Sequence, residues 1–201
     1  MSDNLVKFIA EIYMLKRNTR EGWRIAAAPP DSLADHVAIT AQLAYCIGEL
    51  EGLNGERCAA IALFHDNGEC RIGDHHKIAK RYLSKADGEH TALLEQLKAL
   101  PATLEKKIAA LVSQHDHDNT PEGKVAHDAD TLEFALQAKI HAEAGNVQAQ
   151  RMFERQAKKW FTKTAQQLYS AVGKTDDFTN CWNWELFTES RNARSPAPRS
   201  R

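Results

Sequence analysis

The sequence lacks any long hydrophobic run, which argues against a chain that spans a membrane. No stretch approaches the roughly 20 consecutive apolar residues that a transmembrane helix needs. The first residues also lack the apolar centre of a signal peptide, because Lys7, Glu11 and Lys16 interrupt it. We therefore expect a cytoplasmic protein with no membrane partner.

An excess of charge of one sign is also missing. The chain has 26 Lys and Arg residues against 27 Asp and Glu residues, so its formal net charge is −1. Proteins that bind nucleic acid usually carry clustered positive charge that neutralises phosphates. Because no such positive field exists here, we expect no nucleic-acid partner.

Cysteine is scarce, with four residues in a chain of 201. None of them lies at the close, paired spacing that is typical of a zinc site, and their low density does not indicate a disulfide scaffold. We interpret them as reduced thiols of a cytoplasmic protein.

Apolar residues recur at helical spacing along most of the chain, and alternation typical of strands is scarce. The predicted helices cover residues 4–16, 33–50, 56–69, 89–99, 102–116, 122–145 and 147–172. Residues 17–31 are polar and contain a Pro pair, so they are predicted to form a loop. Ser32 followed by Asp35 has the pattern of a capping box at the start of the next helix. We predict an all-α fold in which residues 1–190 form one globular array of helices, and a disordered, basic, Pro- and Ser-rich tail at residues 191–201.

The residues with the clearest chemical signature are the adjacent pair His65 and Asp66, with Glu69 shortly after them. One imidazole and one carboxylate from a single helical turn, joined by distant His36 and a distant Asp, would form a mixed nitrogen and oxygen metal site. Such a site leaves positions open for water and a phosphate oxygen. On a helix, Glu69 would share a face with the pair, where a carboxylate can activate water or protonate a leaving group. The pattern indicates a metal-dependent phosphohydrolase.

Two aspartates in the helix predicted at 122–145 are alternative fourth ligands. Asp128 borders an apolar stripe that includes Val125 and Leu132, so the helical period favours Asp128 as the inward-facing acid. Asp130 points nearly opposite on the same helix. The helical period alone leaves the choice between the two open.

The order of these blocks resembles that of the HD-domain phosphohydrolases, and more narrowly that of the bacterial 5′-deoxynucleotidases and related HD-domain-containing proteins. The resemblance covers roughly residues 5–170. The matching blocks are Arg20-Glu21-Gly22-Trp23, Asp31-Ser32-Leu33-Ala34-Asp35-His36, the H-D-x-x-E-x-x-x-G-D run from His65 to Asp74, and Ala129-Asp130-Thr131-Leu132-Glu133.

The resemblance implies one divalent metal ion held by His36, His65, Asp66 and Asp130. A small residue before the ligand and a leucine two positions after it place Asp130, rather than Asp128, in the family register. Two imidazoles and two carboxylates suit Mn, Co, Fe, Ni or Zn, and suit Mg less well.

The resemblance also implies what surrounds the metal. Glu69 would activate the attacking water, Asp74 would lie near the sugar, and Trp23 would close one wall of the pocket so that only a single phosphate fits. The implied substrate is a nucleoside 5′-monophosphate. An arginine of the loop would clamp the phosphate, and the R-x-G-W pattern favours Arg20 over Arg24.

Two further clusters of charged residues have alternative interpretations. The segment 75–77, with sequence His-His-Lys, either forms a solvated loop or adds phosphate contacts. His115 and His117, with Asp116 and Asp118, have the composition of a metal patch, but we interpret them as a charged, exposed helix end.

Other functions stay open on this evidence. A different HD-type phosphohydrolase, acting on a cyclic nucleotide or on guanosine tetraphosphate, would need a larger pocket. A nucleotide-binding sensor would not need Glu69, and a structural helical module would hold no metal. The resemblance also allows a homodimer, although the sequence indicates no interface.

Overall fold

The structure is a computed structural model that describes residues 3–83, 85–117, 119–157 and 160–178. It is built from helices, which confirms the all-α prediction. They are α1 (Asp3–Ile12), α2 (Gly22–Ile25), α3 (Leu33–Leu50), α4 (Gly55–Phe64), α5 (Glu69–Ile72), α6 (Lys85–Leu97), α7 (Ala102–His117), α8 (Pro121–Glu143), α9 (Val147–Glu154) and α10 (Lys163–Lys174), with 3₁₀ segments at Tyr13–Lys16 and Ala79–Arg81. No helix in these ranges is both long and apolar enough to cross a bilayer. The tail predicted at 191–201 lies outside the described residues.

Helix α3 begins where the sequence predicts. The Ser32 hydroxyl accepts a hydrogen bond from the Asp35 N–H at 3.1 Å, and the Asp35 carboxylate accepts one from the Ser32 N–H at 3.2 Å. This confirms the capping box, which satisfies backbone donors that a helix start leaves unpaired. The box fixes the first turn of α3, and that turn presents His36 to the protein interior.

Helix α8 lies at the centre of the fold, in contact with α3, α4, α7, α9 and α10. The larger hydrophobic cluster contains small residues of α8, namely Ala126, Ala129, Ala135 and Ala138. Such small side chains allow the neighbouring helices to approach closely. A second cluster joins α1, α6 and α7 through Phe8, Leu93, Leu97, Leu100, Ile108 and Val112. Because α3, α4 and α8 meet in the larger cluster, residues far apart in sequence reach one place.

The predicted loop at residues 17–31 is correct in outline but contains the single-turn helix α2. Its two ends are joined by a hydrogen bond from the Arg20 N–H to the Asp31 carbonyl at 3.0 Å and by an antiparallel bridge between Thr19 and Ser32. The loop therefore folds back onto the start of α3 instead of extending into solvent.

The helix predicted over residues 56–69 ends before His65. Residues from His65 to Gly68 form a turn, and Glu69 begins the short helix α5, so the expectation of one continuous helix is wrong. Glu69 nevertheless lies beside the pair, because one of its carboxylate oxygens is within 4.8 Å of one from Asp66. The turn packs against α6, where a Cβ atom on Gly68 would lie only 2.5 Å from the backbone oxygen of Glu89. Only glycine permits this close approach of the turn to α6.

The single helix predicted over residues 147–172 is also wrong, because the structure has α9 and α10 in this segment. Before α10, the Asp128 carboxylate accepts hydrogen bonds from the N–H groups of Phe161 and Thr162 at 2.9 and 2.7 Å. These bonds hold the chain in a turn, and the Thr162 hydroxyl then caps α10 by accepting a bond from the Ala165 N–H.

Candidate metal centre and substrate cavity

Four side chains predicted as metal ligands converge where α3, α8 and the turn after α4 meet. The Nε2 atom of His36 lies 3.4 Å from Nε2 of His65 and 3.2 Å from Oδ1 of Asp130. The Oδ2 atom of Asp66 lies 3.6 Å from Nε2 of His36 and 3.3 Å from Nε2 of His65. Two nitrogen atoms and two oxygen atoms therefore face one common space.

Both histidines are oriented by a contact at the other ring nitrogen. Nδ1 of His36 lies 2.5 Å from Oε2 of Glu133, and Nδ1 of His65 lies 2.6 Å from the carbonyl oxygen of Ala62. A proton on Nδ1, donated to these oxygens, leaves the lone pair of Nε2 free for a metal. The two imidazoles are thus arranged as metal-binding histidines usually are.

Charges in the site favour a cation at its centre. Burial and the Arg20 guanidinium lower the pKa of His36, but the carboxylates of Asp130 and Glu133 outweigh them and raise it to about 10. Burial opposes ionisation of Asp130, yet the hydrogen bond from His36 and the nearby cations hold its pKa well below the usual range. The two histidines lower the pKa of Asp66 in the same way, against burial. Two ionised carboxylates in a largely buried site need positive charge beside them, and Arg20 and the protonated His36 supply it. A bound cation would take the place of the proton on Nε2 of His36.

The donor set and its spacing fit a divalent transition-metal ion. Neighbouring ligands around an ion with bonds of about 2.1 Å lie about 3 Å apart. The separations above run from 3.2 to 3.6 Å, and Nε2 of His65 lies 3.9 Å from Oδ1 of Asp130. Two imidazoles and two carboxylates suit Mn, Co, Fe, Ni or Zn better than Mg. His36, His65, Asp66 and Asp130 could therefore hold one ion of this class.

Of the two candidate arginines, the structure places Arg20 at the centre. Its guanidinium lies 3.5 Å from Oδ2 of Asp66 and 3.9 Å from Oδ1 of Asp130. Burial disfavours the charge on Arg20, but the surrounding carboxylates raise its pKa above the ordinary value. Arg24 is 75% exposed and pairs with Glu21 at 3.2 Å. Arg20, and not Arg24, is therefore the arginine that lies beside the candidate metal centre.

Glu69 and Trp23 form part of the wall of the cavity above the centre. Glu69 is buried at the start of α5, and one of its carboxylate oxygens lies within 4.8 Å of oxygens from Asp66 and Glu89. Trp23 is 1% exposed and stacks on Phe134 with ring centroids 4.9 Å apart. The indole also meets the His141 ring edge-on, with centroids 5.0 Å apart, so two aromatic contacts hold it in place.

The cavity has a volume of about 680 Å³, which is within the range of small-molecule sites. Asp74 and the 75–77 segment line one side of it. His75 and His76 are half-buried and Lys77 is exposed, so a solvated loop and added phosphate contacts both stay predictions. One oxygen of Asp74 accepts a hydrogen bond from the Glu21 N–H at 2.8 Å, which anchors the loop that carries Arg20.

Asp128 is buried, as the helical period indicates, but its carboxylate faces α10 and not the metal centre. Besides the two backbone bonds described above, it accepts a bond from the Thr162 hydroxyl at 2.6 Å. Burial raises the pKa of Asp128, and these hydrogen bonds oppose the rise. Asp130 is the aspartate that the structure brings to His36 and His65.

Two residues at the centre, His115 and Glu133, were not predicted to lie there from the sequence. The interpretation of His115 as part of an exposed helix end is wrong, because its side chain is 12% exposed and its ring centroid lies 4.6 Å from that of His65. Its neighbours Asp116 and His117 are exposed, as expected, and Asp118 lies outside the described residues. Glu133 lies one helical turn after Asp130 on α8, and this spacing could have indicated that it faces the same site.

Helices that bring two histidines and two aspartates together are the arrangement expected of the class of proteins whose metal centre is built from His and Asp. The chain belongs to the HD domain family, whose match covers residues 12–172. The 5′-deoxynucleotidase HDDC2 of Danio rerio is 33% identical over 146 residues, which cover 70% of this chain and 71% of that protein. The protein of the same name from Homo sapiens is 32% identical over 139 residues, 67% of each chain. The solved structure of a conserved hypothetical protein from Pyrococcus furiosus is similar with a TM-score of 0.73 at 25% identity, covering 85% of this chain and 99% of the other.

Proposed function

We propose that this protein is a divalent-metal-dependent 5′-deoxynucleotidase, a phosphoric monoester hydrolase that converts nucleoside 5′-monophosphates to a nucleoside and phosphate. The observation that carries the proposal is the convergence of His36, His65, Asp66 and Asp130 beside the half-buried Arg20. Family membership and the 33% identity to a protein named 5′-deoxynucleotidase support the substrate class.

His36, His65, Asp66 and Asp130 would hold the ion, and Arg20 binds the phosphate. When bound, a divalent ion lowers the pKa of water and neutralises phosphate oxygens. The planar guanidinium of Arg20 matches two phosphate oxygens at once. Since this group already lies against Asp66 and Asp130, it places the phosphate next to the ligands.

Glu69 accepts a proton from the attacking water. As the water oxygen bonds to phosphorus, the bond from phosphorus to the nucleoside 5′-oxygen breaks. That oxygen leaves as a hydroxyl group after taking up a proton, either the one held by Glu69 or one from solvent water. Positioning and charge neutralisation supply most of the acceleration in phosphoryl transfer. Glu69 is suited to this role because it is buried and lines the cavity beside Asp66.

Trp23 limits the phosphate subsite to one phosphate. The indole Nε1–H donates a hydrogen bond to Asp31 at 3.0 Å, and the ring stacks on Phe134, so it is held from two directions. A second phosphate would have to displace this fixed ring. Asp74, which also lines the cavity, contacts the sugar.

Phosphate release from a panel of nucleotides tests the proposal. The panel contains 5′-deoxynucleoside and ribonucleoside monophosphates and the corresponding diphosphates, and the metal-free protein is reloaded separately with Mn, Co, Zn and Mg. We expect release from the monophosphates and little from the diphosphates, and the ratio of deoxy to ribo rates assigns the sugar preference. Tight metal binding without release from any of these nucleotides would contradict the proposal and favour a cyclic nucleotide, guanosine tetraphosphate or a sensing role.

A further inference from the structure

A third imidazole lies against the metal centre. The His115 ring, in the last turn of α7, has its centroid 4.6 Å from the centroid of the His65 ring. The ring of His36, a predicted ligand, lies 5.3 Å from the same His65 ring. His115 is therefore as close to His65 as one ligand of a single ion is to the next.

The Nε2 atom of His115 is shielded from solvent and has no hydrogen-bond partner among the residues that the structure describes. Buried nitrogen atoms in proteins are nearly always paired, and each exception needs an explanation. A metal ion would satisfy this nitrogen.

The other nitrogen of His115 follows the pattern of the predicted ligands. Nδ1 of His115 faces Oδ1 of Asp116 at 3.6 Å, Nδ1 of His36 faces Glu133, and Nδ1 of His65 faces a backbone carbonyl. In each ring an oxygen atom at Nδ1 leaves Nε2 as the atom available to a metal. Metal-binding histidines share this arrangement.

The geometry points to one ion shared by all three imidazoles. His65, His115 and Asp130 each offer a ligand atom within 4.8 Å of the others, and His65 forms a second such group with His36 and Asp66. Nδ1 of His65 is engaged by a backbone carbonyl, and the single lone pair of its Nε2 cannot serve two ions. We propose that His115 is a fifth protein ligand of the ion held by His36, His65, Asp66 and Asp130.

This inference rests on the metal centre of the proposed function. Five protein ligands leave a six-coordinate ion one open position, for the attacking water, so the phosphate is held by Arg20 rather than by a position on the ion. The added imidazole also changes the metals that the centre prefers. Imidazole ligands suit Co, Ni and Zn, whereas carboxylates suit Mn and Mg. A centre with three imidazoles discriminates more strongly for Zn against Mn than a centre with two. The native ion is therefore expected to be Zn, Co or Ni.

Metal titrations of the full chain test the added ligand. Zn and Mn affinities are measured for the wild type, His115→Gln and the matched control His117→Gln, which changes an exposed histidine of the same helix end. We expect His115→Gln to lower the Zn affinity by more than about tenfold and to reduce the ratio of Zn to Mn affinity. The control is expected to leave both unchanged.

A count of coordinated imidazoles gives a second readout that does not depend on stability. Pulsed electron paramagnetic resonance of the Cu²⁺-loaded protein should detect three imidazoles in the wild type and two in His115→Gln. Two imidazoles in the wild type, equal Zn affinity in the two glutamine variants, or two ions per chain would each overturn the proposal.

Asp66→Ala separates this inference from the function on which it depends. If Asp66→Ala loses all bound metal while His115→Gln binds as the control does, only the role of His115 is refuted. If Asp66→Ala binds metal as the wild type does, the assignment of the metal centre on which the proposed function depends is wrong.

Discussion

The Nδ1 atom of His36 lies 2.5 Å from Oε2 of Glu133, and this contact turns the opposite nitrogen of the imidazole toward Asp130. Both partners are buried, so water does not compete for the hydrogen bond. Glu133 thus orients a predicted ligand without occupying a ligand position itself.

Removing the Glu133 carboxylate is expected to weaken metal binding. Glu133→Ala should lower Zn affinity by about 10- to 100-fold, the usual effect of losing a partner that orients a metal-binding histidine. Glu133→Gln retains a side-chain oxygen as acceptor for Nδ1, so we expect a smaller loss. Calorimetric titration measures both, and wild-type affinity in the alanine variant would refute the orienting role.

Replacing Asp128 by alanine is expected to lower the stability of the fold, whereas replacing Asp130 is expected to abolish metal binding. Asp128→Ala leaves the part-buried N–H donors of Phe161 and Thr162 without their acceptor. It should cost about 1–3 kcal/mol of unfolding free energy while the protein still binds metal. Asp130→Ala should abolish metal binding with a smaller effect on the unfolding of the metal-free protein. Urea unfolding and metal content measure the two effects, and the reverse pattern would make Asp128 the ligand.

Replacing Arg20 is expected to impair catalysis without loss of metal. Arg20→Ala should lower kcat/KM for a nucleoside monophosphate by at least about 100-fold, as does removal of a donor to transition-state charge. The metal affinity of this variant should stay unchanged or rise, because a positive charge next to the ion is removed. The exposed Arg24 offers the control, since Arg24→Ala should change kcat/KM by less than about twofold. Equal losses in the two variants would remove Arg20 from the phosphate site.

Metal is expected to stabilise the folded chain. Free Zn at 100 times its dissociation constant adds about 2.7 kcal/mol to the unfolding free energy, which corresponds to about 5–10 °C in Tm for a chain of this size. A chelator should reverse the shift, and Asp66→Ala should not show it. The same increase in Tm for Asp66→Ala would mean that the ion binds elsewhere.

Local chemistry explains which features the sequence could predict. The capping box of Ser32 and Asp35 depends on two residues one turn apart, and the structure has it. The pair His65 and Asp66 was recognisable because adjacent residues must lie together in any fold. His36 and Asp130 required the family pattern, since nothing local connects them to the pair.

The features that sequence reasoning missed depend on contacts between distant segments. The helical period identifies Asp128 as inward-facing, but its partners Phe161 and Thr162 lie on a segment whose path only the folded structure gives. The burial of His115 likewise depends on how α7 packs beside the His65 turn. The close approach of α6 to Gly68 is likewise a contact between separate segments, which no local pattern of the sequence indicates.

The most direct test of the central claim measures bound metal and phosphate release together, on the wild type, Asp66→Ala and Glu69→Gln, with a 5′-deoxynucleoside monophosphate as substrate. We predict that the wild type binds one ion and releases phosphate, that Asp66→Ala loses both, and that Glu69→Gln keeps the ion but loses turnover. An Asp66→Ala protein that is free of metal yet as active as the wild type would contradict the account.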